Sequence, residues 1–193
     1  MDEIAYYQNA LQESDLHTRH RILVKVANAK STVAIPVLTV ALKDSDYGIR
    51  RHATSTLIKI GVDAVPVFIE ALNDSDEELR VLSVRALLRI GDAHAVPALI
   101  TVLKDAKLSP YAAEALFRIG HAAVPALTEL LQDEDDRVRS YAKYALFRMG
   151  EMELYPEMPP MNVYPGEGSK QELKHPSSNV EMWFERIINV SSG

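Results

Sequence analysis

The stretch VPALTELLQDEDDRVRSYAKYALFRMG, residues 124–150, decides how the chain folds. Its Pro125 fits the first turn of a helix, where a missing N–H costs nothing. A short apolar run follows and ends in the acidic turn Asp133-Glu134-Asp135-Asp136. Aspartate caps helix N-termini and suits the helix dipole, so this turn starts a second helix. Along that helix Val138, Ala142, Leu146 and Met149 recur at steps of 4, 4 and 3, which trace one helical face. Gly150 suits the left-handed position just past a helix end.

Upstream the same sentence is written three more times. Gly61, Gly91, Gly120 and Gly150 are spaced by 30, 29 and 30 residues, and Pro36, Pro66, Pro97 and Pro125 by 30, 31 and 28. Two punctuating residues with one period mean an internal repeat. Four units result, about 34–61, 64–91, 95–120 and 123–150. Counting back from each glycine, position −4 is Leu57, Leu87, Leu116 and Leu146. Position −8 is Ala53, Ser83, Ala112 and Ala142, small where helices approach closely. Position −12 is Ile49, Leu79, Leu108 and Val138. Residues 3–31 continue the period in degraded form, with Ser31 in the glycine's place, and read as a capping repeat. Position −11 is Arg50, Arg80, Ser109 and Arg139, an arginine ladder expected to bridge neighbouring acidic turns. Repeat 95–120 departs: it has Ser109, a turn shorter by two residues, and Pro110. A break in the ladder or a changed stacking angle is expected there.

The apolar-Pro start, acidic turn, Val-Arg and Ala-x-x-Ala-Leu series resembles the phycobilisome-lyase type of HEAT-like repeat. The resemblance covers 34–150 well, 3–33 weakly and the rest not at all. It implies an all-α fold, a right-handed α-solenoid of about five two-helix HEAT-like repeats. It also implies that the second helices line an inner, concave face. Some relatives act on bilin attachment or phycobilisome turnover, and many others bind proteins.

Composition limits the functions open to such a chain. Of 193 residues, 47% are hydrophobic and 25% charged, as in ordinary globular proteins. No apolar run approaches the roughly 18 residues a membrane helix needs. Met1, Asp2 and Glu3 are unlike a basic signal-peptide start. The chain has no cysteine, which removes disulfides and thiolate chemistry and points to the cytoplasm. A net charge of −6 argues against nucleic acid as the partner. The six histidines form no His-Glu-x-x-His pattern, and no His-Glu dipeptide occurs of the sort used by HEAT-like di-iron hydroxylases. The paired aspartates lack the glycine and closing glutamate of a calcium loop. No catalytic, cofactor-binding or metal-ligating residue is therefore expected.

Function is expected on a surface. Positions −9, −6, −3 and −2 point away from the buried stripe at about 100° per residue. Position −2 holds Lys59, Arg89, Arg118 and Arg148, and position −3 holds Ile58, Leu88, Phe117 and Phe147. Tyr111 and Tyr141 stand at −9, Arg85 and Tyr144 at −6. Helix-dipole complementation also accounts for the cations, and inter-repeat packing for some of the −3 residues. Aromatic residues and arginine dominate interface hot spots. The expected partner-binding set is Leu88, Arg89, Tyr111, Phe117, Arg118, Tyr141, Tyr144, Phe147 and Arg148. Five repeats at about 8–10 Å each give a groove roughly 40–50 Å long, suited to a helix or extended peptide. The expected function is a monomeric, non-catalytic protein-interaction scaffold. The alternative is a phycobilin lyase-like or chromophore-protein handling factor acting with a second HEAT-like subunit.

Residues 151–193 form an acidic, proline-rich extension with 3 Lys+Arg and 7 Asp+Glu. Ser178 to Glu181 is a capping box, and Val180, Trp183, Phe184 and Ile187 mark an amphipathic helix at about 179–189. That helix is expected to pack back on the solenoid.

Overall fold

A computed structural model of the chain describes residues 2–150. The amphipathic helix expected at 179–189 lies outside the described residues. Among these, regular structure is entirely helical and forms five antiparallel pairs. They are α1 (Glu3–Glu13) with α2 (Leu16–Val26), α3 (Ser31–Ala41) with α4 (Tyr47–Ile60), and α5 (Val65–Ala71) with α6 (Glu77–Ile90). The last two are α7 (Val96–Val102) with α8 (Ser109–Ile119) and α9 (Val124–Glu129) with α10 (Asp136–Arg148). Second helices pack on second helices, α2 on α4, α4 on α6, α6 on α8 and α8 on α10. This is an all-α HEAT-like solenoid of two helix layers.

Each acidic turn uses two aspartates in sequence. Asp44, Asp74 and Asp133 each accept from the backbone N–H two residues on, at 2.8, 3.0 and 2.9 Å, which closes the turn. Asp46, Asp76 and Asp135 then cap α4, α6 and α10, accepting from the N–H groups of Ile49, Glu78 and Arg137. The Asp76 N–H and then Lys43 hold Asp74 below the usual carboxylate range. The interior is the −12, −8 and −4 part of the stripe expected from periodicity, while Met149 at −1 is only half-buried. Ile49, Ala53 and Leu57 are buried, as are Leu79, Ser83 and Leu87. So are Leu108, Ala112 and Leu116, then Val138, Ala142 and Leu146. Each buried leucine contributes about 1.5–3 kcal/mol, and the small −8 residues let adjacent second helices approach.

Four local expectations are corrected. The −11 arginines hold their own turns before any neighbour: Arg50, Arg80 and Arg139 donate to Asp44 and Ser45, Asp74 and Ser75, and Asp133 and Glu134 carbonyls. Links between repeats come mainly from other pairs, Arg19–Asp44 at 3.3 Å, Lys43–Asp74 at 2.7 Å and Lys104–Asp133 at 3.5 Å. Among the described residues, Arg50 alone of the three adds a bridge to the next repeat, to Glu78 at 2.6 Å. At Ser109 the arginine series is broken, and Lys107 reaches back to Glu77 at 2.6 Å instead.

Prolines 66, 97 and 125 stand in the first turns of α5, α7 and α9, but Pro36 lies inside α3. Ser31, expected in the glycine's place, opens α3, because α2 ends five residues earlier at Val26. Among the helix-ending glycines, Gly91 is truly left-handed at φ 69, ψ 30. Gly61 and Gly120 instead take φ 80, ψ −130 and φ 76, ψ −143, a region open essentially to glycine alone. Connection length separates the two cases. Pro97 follows its glycine by six residues, and the added Asp92 caps the next 3-10 turn; Pro66 and Pro125 follow by five.

Candidate partner-binding face

The solvent side of the second-helix layer carries the residues counted back from the glycines. Of the nine side chains expected there, three are interior. Leu88 is 1% exposed, Tyr144 3% and Tyr141 4%. This corrects the expectation that they anchor a partner directly; packing between repeats has taken them. Tyr141 pairs its hydroxyl with Ser109, and its burial raises its pKa. Ser109 thus explains itself: the small residue admits a tyrosine from the next repeat where an arginine would stand.

Arg148 is only half available. Its guanidinium lies 4.1 Å above the Phe117 ring and 5.5 Å from the Tyr144 ring centre. It also donates to the Tyr144 hydroxyl at 2.5 Å and meets the Glu114 carboxylate at 3.5 Å. Burial pushes the Tyr144 phenol up; Arg148 opposes that shift and Glu114 adds to it. Glu114 was not among the expected residues. It is buried, and it is the lone carboxylate at position −6, beside Ser55, Arg85 and Tyr144 in the other repeats. That charge in an otherwise non-acidic row was the available signal. Arg85 makes a simpler pair across α6 and α8, 4.9 Å over the Tyr111 ring with a 3.2 Å hydrogen bond to its hydroxyl.

What stays open is cationic and aromatic. Lys59, Arg89 and Arg118 are exposed in the last turns of α4, α6 and α8, and form no ion pair among the described residues. Tyr111, Phe117 and Phe147 are half-buried beside them. At the N-terminal end His52 of α4 faces His20 of α2, ring centres 6.3 Å apart. Burial, then His20 and Lys59, lower the His52 pKa. A shallow cleft there is lined by Ala27, Asn28, His52, Ser55, Thr56, Lys59 and Ile60. The described residues contain no cluster of acidic and histidine side chains arranged for a metal ion. Nor does any helix among them have the length and apolarity to cross a membrane.

Residues 65–146 match the family model of HEAT repeats. Among solved structures the chain is similar to the complex of CpcE and CpcF of phycocyanin lyase from Nostoc sp. PCC7120, at 27% identity and a TM-score of 0.50. That match covers 77% of this chain and 65% of the other, so this chain spans less than two-thirds of that relative's length. Two crystal structures of engineered proteins are similar at 23% and 21% identity, with TM-scores of 0.44 and 0.41. They cover 77% of this chain and 80% and 81% of their own. No curated protein matches the sequence.

Proposed function

We propose that this HEAT-like repeat chain, which is similar to the phycocyanin-lyase complex of CpcE and CpcF, is a non-catalytic, monomeric, cytoplasmic scaffold. It binds a segment of a partner protein across the solvent side of its second helices. One observation carries the reading: Arg89 on α6 and Tyr111, Phe117 and Arg118 on α8 present the residue types of interface hot spots on adjacent packed helices. Phe147 on α10 continues the strip. The buried trio Leu88, Tyr141 and Tyr144 supports that surface from beneath.

The second reading is a lyase-like subunit that works with another HEAT-like chain. The similarity to the CpcE and CpcF complex favours it. Both readings need a protein partner, and bilin separates them. Purification from the native host with a stoichiometric partner and no visible absorbance supports the scaffold. A bilin band that appears only with a second HEAT-like chain replaces the scaffold by the lyase-like subunit. For the site itself, Phe117→Ala with Arg118→Ala is expected to weaken the partner complex by about 2 kcal/mol or more, over tenfold in Kd. Unchanged affinity would move the interface elsewhere.

A further inference from the structure

Formal charge is divided unevenly between the two helix layers. The second helices contain fourteen Lys and Arg against four Asp and Glu, whereas the first helices contain no Lys or Arg and four Glu. Many of these cations are engaged. Arg19, Arg50, Arg80, Arg137 and Arg139 serve the acidic turns. Arg85 stacks on Tyr111, and Arg148 is held by Phe117, Tyr144 and Glu114. Among the remaining cations, Lys59, Arg89 and Arg118 each stand two residues before a glycine and so at one register of three successive helices. The helix dipole favours a cation in each last turn, yet the result is three like charges facing the same solvent.

We propose that this row receives an acidic α-helix of a partner protein, its axis crossing α4, α6 and α8. The inference rests on the scaffold reading and names the chemistry of its partner. Packed helices lie about 8–10 Å apart, so the cations recur at about that interval. An α-helix rises about 1.5 Å per residue and returns to one face after seven residues, a step of about 10.5 Å. A carboxylate at every seventh residue therefore meets Lys59, Arg89 and Arg118 in turn. An extended strand covers a similar step in three residues, but its third residue points to the opposite face. A nucleic-acid strand carries a phosphate about every 3.4 Å, leaving most charges unmatched. Phe117 is half-buried beside Arg118 with Arg148 over one face of its ring, and what it leaves exposed is apolar surface for the helix's leucines.

A fluorescein-labelled three-heptad peptide, with glutamate at one position of each heptad and leucines flanking it, tests this by anisotropy against the full chain. Binding is expected to weaken with salt. A peptide of the same composition with scattered glutamates is expected to bind several-fold less tightly. The variant Lys59→Glu/Arg89→Glu/Arg118→Glu is expected to lose about tenfold or more. The milder Lys59→Gln/Arg89→Gln/Arg118→Gln, checked for native helicity by circular dichroism, is expected to lose several-fold. Equal binding of the scattered peptide, unchanged affinity in a folded glutamine variant, or tighter binding of a labelled single-stranded DNA overturns the proposal. Amide-exchange protection separates its failure from that of the scaffold reading. If an uncharged amphipathic helix protects α4 to α8 and the acidic one does not, the face binds helices and only the acidic chemistry is wrong. If no peptide protects these helices, the scaffold site itself is wrong.

Discussion

Arg148 of α10 lays its guanidinium 4.1 Å above the ring of Phe117 of α8, locking the last two repeats together. The same group neutralises buried Glu114. Removing it takes away a cation–π contact and leaves a buried carboxylate without its cation. Arg148→Ala is expected to lower unfolding stability by about 1–3 kcal/mol. Arg148→Lys, which keeps the charge but not the planar stack, should recover part of the loss. Urea midpoints measure both, and an Arg148→Ala variant as stable as the parent contradicts this role.

Ser109 gives a counter-intuitive case. Ser109→Arg restores the residue found at this register in three other repeats. Ser109 is nevertheless fully buried and paired with Tyr141. The substitution is expected to destabilise by about 1–3 kcal/mol through overpacking. A stabilised variant in thermal melts would show that the site accepts an arginine.

The glycines differ in what they tolerate. An added Cβ meets nothing within 4 Å at Gly61 or Gly91, so only backbone conformation separates them. Asparagine visits the left-handed region of Gly91 readily and the region of Gly61 hardly at all. Gly61→Asn is expected to cost at least about 1 kcal/mol more than Gly91→Asn. Equal losses in denaturant unfolding would refute the distinction.

His52 predicts a pH dependence. Its pKa in the folded chain is lowered from 6.5, so the unfolded state takes up the proton more readily. Stability should fall as pH drops through 6.5 toward the lower folded value, and this part of the dependence should be gone above 6.5. His20 and Lys59 supply the charge repulsion, after burial. His52→Asn should flatten the stability curve between neutral and mildly acidic pH. An unchanged curve assigns the dependence to other groups.

Periodicity alone determined the helix pairs, the buried stripe and the turn chemistry. Each depends on residues near in sequence: an aspartate caps the helix it precedes, and apolar residues at steps of four and three share a face. Leu57, Leu87, Leu116 and Leu146 were legible as core because local geometry suffices to place them. Which non-stripe residues remain exposed was decided only in three dimensions. Leu88 and Phe117 occupy one register, yet Leu88 is buried and Phe117 only half so. Tyr141 enters the space that Ser109 leaves, and Glu114 draws Arg148 inward while Arg118 stays in solvent. These outcomes turn on what the adjacent repeat presents at each position. A helical wheel for one helix carries no such information, because burial at a repeat interface belongs to two helices at once.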